Sequence, residues 1–397
     1  MNTPASSSER LRILSILNLD WNRHLGAARV YIELSDRWRA AGHVVEHYSF
    51  SEAFPARYRS SRKFVLQRAA FPHRAAAFVK DNADGFDVID VLIGSLSAPK
   101  SRMGFRGLLV ARSVGSHRLY DEFERSVRNR WPGKDRGTFI GRLFYSGFNR
   151  LLMKASDAAI AHADLINVPN SEEATFLRDN AVMGGPVMVQ PYGLHSEHRR
   201  ALISAALLPA DRLKMKTVSF VGMWAPRKGS RIWGEIVRRV CQKIPDVRFS
   251  FLGTMTEPNK VLNDVGAEFS RQIEVVSEFS PDQLPGLLSK CAVGAFPSYV
   301  EGFGLAVLEQ LAAAIPTVAF DEGGPRDILH AAMPELLVST GDTESFANAL
   351  VRILRLDLHE YERLADLSVK TVQKYSWSEI AQDTITQYRS ALASLRT

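Results

Sequence analysis

The stretch Ala292-Val293-Gly294-Ala295-Phe296-Pro297-Ser298-Tyr299-Val300-Glu301-Gly302-Phe303-Gly304-Leu305-Ala306-Val307-Leu308-Glu309 changes its hydrophobic period midway. Ala292 to Phe296 is a short apolar run, which reads as a strand buried on both faces. Pro297 and Ser298 end it, and from 303 to 314 the apolar residues return at helical spacing. A buried strand that passes through a glycine-bearing turn into a helix is part of a βαβ unit, so the fold is read as α/β with a parallel sheet. The turn then lies at the carboxyl edge of that sheet, where such folds bind their ligands. Gly302 and Gly304 let the backbone approach a ligand closely. The free N–H groups of Phe303, Leu305 and the rest of the first turn, aided by the helix dipole, suit a diphosphate. Glu301 and Glu309 are separated by eight helical steps, about 12 Å. Two acceptor-only carboxylates at that separation suit hydroxyls at the two ends of a sugar nucleotide. The Gly302-Phe303-Gly304 run also imitates a dinucleotide fingerprint, but Val307 stands where the third glycine belongs.

The same alternation extends outward. Strands are expected at 12–17, 44–50, 88–93, 108–112, 165–168 and 187–190, with a helix from Gly26 to Ala40 that Gly42 ends and a long one from near Phe139 to Ala163. After an irregular polar stretch near 195–211 a second series begins, with strands at 217–221, 248–252, 273–276 and 317–320 and helices near 231–243 and 282–290. This pattern implies two Rossmann-like domains, 1–195 and 212–374, facing a central cleft. A closing helix at 375–397, with Ser376 or Ser378 as its cap, is expected to cross back to the first domain.

Composition sets the outer limits. The chain has 397 residues, 46% hydrophobic and 23% charged, which suits a globular protein of two domains. Its first twelve residues are polar, no apolar stretch is long enough to span a bilayer, and Cys241 and Cys291 are the only cysteines. These features predict a cytoplasmic protein without signal peptide or disulfide framework. The net charge of +7 sits in the first half: residues 1–200 hold 29 Lys/Arg against 20 Asp/Glu, and 201–397 hold 21 against 23. Between Arg102 and Lys154 there are 12 basic and 4 acidic residues, with Phe105, Leu108, Trp131, Phe139, Phe144 and Phe148 interleaved. That segment is read as a surface for a phosphate-bearing acceptor or an anionic membrane, peripheral at its inner face. No nucleic-acid reading motif accompanies it, and nothing in the sequence fixes the oligomeric state.

The Pro-Ser…Glu-Gly-Phe-Gly-Leu…Glu block resembles the donor-site signature of family 4 of the retaining GT-B glycosyltransferases, the glycosyl transferases group 1. Further segments resemble that family in the same order: Leu25-Gly26-Ala27-Ala28 through Ala41-Gly42-His43-Val44-Val45, Pro191-Tyr192-Gly193-Leu194, Phe220-Val221-Gly222 through Arg227-Lys228-Gly229, Glu322-Gly323-Gly324-Pro325, and Tyr375-Ser376-Trp377. The resemblance is strong from 217 to 330 and weak before 155. It implies a GT-B fold with an acceptor-binding first domain and a donor-binding second domain. It also implies transfer, with retention, from a nucleotide-sugar such as a UDP- or GDP-sugar to a saccharide or lipid-linked glycan. Glu301 would position the sugar and Glu309 the ribose. Arg227 and Lys228, on a turn that Gly229 ends, would place fixed positive charge beside the departing diphosphate. Gly222 would line the donor cleft, and Gly26, at the opening of the first helix, would offer backbone N–H groups to an anionic acceptor or a donor phosphate.

The chain departs from the family twice. Met223 stands where many relatives carry Arg after the glycine, and Val114 stands where the family has a histidine, with His117 three residues on. His117 is the candidate for that role; otherwise the site works without the histidine, or the chain is a non-catalytic nucleotide-sugar or glycan binder. A sugar-nucleotide epimerase of related fold is the other alternative. His195 and His198 have no carboxylate or cysteine pattern to complete a metal site, and Asp-x-Asp is absent. No metal and no cofactor beyond the donor substrate are expected.

Overall fold

A computed structural model describes residues 10–23, 25–55, 61–131 and 139–396 of the chain. Its frame is two six-stranded parallel sheets. The first contains β1 (Arg12–Ile16), β2 (Val44–Tyr48), β3 (Val88–Leu92), β4 (Leu108–Arg112), β5 (Leu165–Val168) and β6 (Val187–Val189), in the order β2-β1-β3-β4-β5-β6. The second contains β7 (Thr217–Val221), β8 (Arg248–Leu252), β9 (Ile273–Val276), β10 (Val293–Phe296), β11 (Thr317–Phe320) and β12 (Leu337–Val338), in the order β12-β11-β10-β7-β8-β9. Helices between the strands cover both faces, which is why the central strands are apolar throughout. β4, β7 and β10 are buried at every residue.

Each sheet reverses its strand order once, between β1 and β3 in the first and between β7 and β10 in the second. The crevice at the carboxyl ends of such a pair is the ligand site of doubly wound folds. In the second sheet it is flanked by the segments after β7 and β10, which hold Arg227-Lys228 and Pro297–Glu309. Topology therefore brings together two motifs about seventy residues apart.

Two details differ from the sequence expectation. The second strand stops at Tyr48 because Ser49 and Glu52 form a reciprocal capping box that starts a short helix, Phe50–Ala53. β12 has only two residues, too short to show any periodicity.

The Trp377–Arg396 helix packs on the first domain. Trp38 Nε1 donates to Ala381 O at 3.1 Å. Arg112, fully buried, donates to Asp90 at 2.8 Å, to Gln190 Oε1 at 2.9 Å and to the Tyr388 hydroxyl at 2.9 Å. A buried ion pair is tolerable only when its hydrogen bonds are filled in this way. Arg112 also removes one charge from the basic segment, as do Arg118 paired with Asp157 and Arg125 paired with Asp121. Phe105 and Leu108 lie in the core, so neither is available to a lipid surface. Arg128, Lys134, Phe139 and Phe144 have side chains outside the described residues. No helix among the described residues is long and apolar enough to cross a membrane.

Candidate functional site

The turn after β7 and the turn after β10 are locked together by backbone. Gly229 adopts φ +84°, and a side chain there would meet the carbonyl of Pro297 at 2.6 Å. Tyr299 N donates to Arg227 O at 2.7 Å, and Ser298 Oγ donates to the same oxygen at 3.1 Å. This packing fixes Lys228 against the second turn, where its Nζ donates to the Glu301 carboxylate and lies 4.6 Å from the centre of the Phe296 ring. Ser298 Oγ also lies 3.3 Å from Glu301 Oε2, so its one proton is shared between that carboxylate and the Arg227 carbonyl. Burial pulls the Lys228 ammonium below its ordinary pKa, Glu301 opposes that shift, and Arg227 adds to it. Arg227, Lys228 and Glu301 thus form one compact group at the carboxyl edge of the sheet.

Gly304, at φ +89°, caps the Leu305–Ala312 helix without any side-chain hydrogen bond. Phe303 is buried between Tyr192 and Tyr375, so its side chain belongs to the core and only its backbone can serve a ligand. Gly302 has a second reason to be glycine. A Cβ there would lie 2.7 Å from Val114 O and 3.2 Å from the Gly115 Cα. Val114, where the family resemblance leads one to expect a histidine, is therefore in backbone contact with the Gly302 turn. Gly222 takes φ +150°, and Met223 beside it is exposed. Gly26 opens the first helix, whose first residue has no side-chain cap and open space around it. His117 opens the His117–Arg130 helix behind Ser116, but its side chain lies outside the described residues.

Glu309 is nearly buried and meets Arg29, which sequence reading missed, and His198, which it weighed only as a metal ligand. Arg29 Nη1, on the first helix, lies 3.6 Å from Glu309 Oε1, and His198 Nε2 lies 3.4 Å from the same oxygen. His195, its neighbour in the His-x-x-His pattern, instead caps the Ser196–Ala205 helix by accepting from Glu197 N. The two histidines thus point to different tasks. The only hint of Arg29 was its place one turn inside the Gly26 helix.

Other first-domain residues also reach the cleft. The Arg227 guanidinium sits 5.3 Å from the centre of the Tyr120 ring. Burial and the charge of Glu301 push the Tyr120 hydroxyl well above its ordinary pKa. Asn170 donates to Gly302 O, Ser171 N donates to Asp327 Oδ2 at 2.7 Å, and Gly323 N donates to Glu172. Glu173 is fully buried behind these contacts. Burial pushes its carboxyl up to about 7, against a hydrogen bond from Ser113 and with help from Glu172. Tyr120 and Glu173 carry no local motif, so only the fold reveals them.

A family model described as glycosyl transferases group 1 matches residues 215–356, the segment that contains both turns. The D-inositol 3-phosphate glycosyltransferase of Corynebacterium urealyticum is 28% identical over 186 residues, 45% of this chain and 44% of that protein. The phosphatidyl-myo-inositol mannosyltransferase of Mycobacterium leprae is 27% identical over 214 residues, 53% of this chain and 56% of that protein. The chain spans about half the length of these curated relatives. Among solved structures, a sucrose-phosphate synthase from Thermosynechococcus elongatus shares the fold with a TM-score of 0.70 at 19% identity, over 96% of this chain and 100% of that one. The chain has the GT-B fold, and its residues 215–356 match the glycosyl transferases group 1 family.

Proposed function

We propose that the chain is a retaining, metal-independent glycosyltransferase that moves a sugar from a UDP- or GDP-sugar held by the second domain to a hydroxyl of a saccharide or lipid-linked glycan held by the first. The observation that carries this reading is the Lys228–Glu301 pair, set beside the uncapped amides at Gly304–Leu305 where the sheet reverses its strand order. Fixed positive charge and free N–H groups suit a diphosphate, and the adjacent carboxylate suits sugar hydroxyls. In the reaction the bond from the anomeric carbon to the diphosphate oxygen breaks as a bond to the acceptor oxygen forms on the same face. The acceptor proton passes to the departing phosphate, and Arg227 and Lys228 hold the charge that develops there. Glu301 orients the sugar and Glu309 binds the ribose once Arg29 yields its contact. None of these side chains forms a covalent bond to the sugar.

The test is nucleoside diphosphate release from a panel of UDP-, GDP- and ADP-sugars with crude glycan acceptors in EDTA. The reading expects acceptor-dependent release that survives EDTA, with the anomeric configuration of the donor kept in the first product seen by NMR. Loss of turnover in EDTA that Mg²⁺ or Mn²⁺ restores would overturn metal independence, and release without any acceptor would favour an epimerase-like or hydrolytic site. The exposed Arg102, Arg106, Arg150 and Lys154 support contact with an anionic surface, each worth about 1 kcal/mol near such lipids. Replacing all four by Ser should abolish salt-sensitive co-sedimentation with anionic vesicles.

A further inference from the structure

The first domain carries a cavity of about 750 Å³ that the donor chemistry leaves unused. It opens at the carboxyl ends of β1 and β2, between the segment that follows Ile16 and the turn that starts the Phe50–Ala53 helix. Its size falls within the range of about 300–1,000 Å³ typical of small-molecule sites. Trp21 and His47 line it as a stacked pair, ring centres 4.2 Å apart and 16° from parallel. Asp20, Asn22, Ser51 and Glu52 supply polar atoms around that aromatic wall.

The lining is built and braced. Ser51 Oγ donates to Asp20 Oδ1 at 2.9 Å, Phe50 N donates to Leu19 O at 3.0 Å, and Ser49 N donates to Glu52 Oε2 at 2.7 Å. Arg23, also in the lining, is clasped by Glu33 and Asp36, so its charge is already answered. With Asp20, Asp36 and Glu52 against the one guanidinium of Arg23, carboxylates outnumber cations among the cavity's lining residues. Burial pulls His47 below its ordinary pKa, which leaves a neutral imidazole able both to donate and to accept. Burial raises Glu52, but hydrogen bonds from Ser49 outweigh it and keep the carboxyl below its ordinary value, ionised at neutral pH. Such a site repels phosphate and carboxylate and welcomes hydroxyl donors, while the aromatic wall suits the apolar face of a ring.

The cavity also adjoins the donor cleft. Arg29 Nε donates to Arg23 O at 3.3 Å while its Nη1 faces Glu309. One side chain therefore connects the cavity rim with the ribose carboxylate. We propose that this cavity is the subsite for an uncharged, hydroxyl-rich ring of the acceptor, stacked on Trp21 and hydrogen-bonded by Asp20 and Glu52. The inference rests on the glycosyl-transfer reading for its role, and on the cavity alone for its ligand class.

Saturation-transfer NMR on the full chain separates the two. The probes are methyl α-glucoside, methyl α-mannoside and methyl α-galactoside, with glucose 6-phosphate as the anionic control; melting shifts with UDP and GDP report the donor cleft of the same samples. The expected result is binding of at least one methyl glycoside, weakened about tenfold or more in Trp21→Ala and Asp20→Asn, and weaker binding of glucose 6-phosphate. UDP or GDP shifts are expected to persist in both variants. Asp20→Asn keeps the side-chain shape, so it decides the matter if Trp21→Ala fails to fold. No methyl glycoside bound by the wild type, equal binding in the variants, or preference for glucose 6-phosphate would overturn the proposal. Absence of nucleotide shifts with glycoside binding intact would instead count against the donor reading.

Discussion

Lys228 and Glu301 depend on each other, because each is largely shielded from water and each is the other's counter-charge. Lys228→Ala removes the positive charge that the leaving diphosphate meets, and it frees a carboxylate beside it. The expected effect is a fall in kcat of about 10²- to 10³-fold, the size seen when one preorganised donor to a developing oxyanion is lost. Glu301→Ala is expected to lower kcat with little change in affinity for the free nucleoside diphosphate; steady-state kinetics and a nucleotide titration check both. Glu173 gives a separate, pH-dependent prediction. A carboxyl raised from 4.5 to about 7 keeps its proton in the folded chain where the unfolded chain has released it. Its contribution to stability is therefore fully present below about pH 4.5 and is lost as pH rises towards 7, on the order of 3 kcal/mol in all. Glu173→Gln has no proton to lose, so its urea stability should decline less than that of the wild type between about pH 5 and pH 7.5. Glu322, which burial and Glu172 also push up to about 7 against a hydrogen bond from Thr340, leaves part of the decline in both proteins. Identical pH slopes would contradict the assignment to Glu173.

At the scale of elements, the turn between β10 and the Leu305–Ala312 helix does two jobs. On one side the start of its helix has no side-chain cap, and on the other it packs against the Val114–Gly115 backbone. Gly302→Ala places a methyl group against a carbonyl that cannot move aside alone. Overpacking of this kind costs about 1–3 kcal/mol, and a cost confined to the closed cleft would appear as roughly a 10- to 100-fold drop in kcat/KM. The melting temperature should change little, because the two sheets are intact; a large loss of stability with normal turnover would contradict this account of Gly302. The turn proposed for the donor was legible in the sequence because its residues are contiguous: strand, turn, helix and both glutamates lie within twenty residues. The central parallel strands were equally plain, since burial on both faces writes them as apolar runs. Arg29 and Tyr120 were not, because each reaches the cleft from an element distant in sequence; His198 was weighed only as a metal ligand, and Glu173 lies buried behind such contacts. The charge available on the basic segment was overcounted for a related reason. Composition counts Arg112 as surface charge, whereas the fold buries it against Asp90 and Tyr388.

Across the whole molecule, two doubly wound domains meet with their ligand-binding edges towards each other, and the Trp377–Arg396 helix ties the end of the chain back to the first. Arg29 and Glu309 bridge the domains at the place assigned to the ribose. If Glu309 binds the donor as proposed, donor binding and domain contact compete for, or share, one carboxylate. The measurement that tests the central claim most directly is a calorimetric titration of UDP and of GDP, in EDTA, into the wild type and into Glu309→Ala. The account predicts that at least one nucleotide binds the wild type and that Glu309→Ala weakens it about tenfold or more, the loss expected when a buried acceptor for hydroxyls is removed. Failure of both nucleotides to bind, or equal affinity in the two proteins, would contradict it.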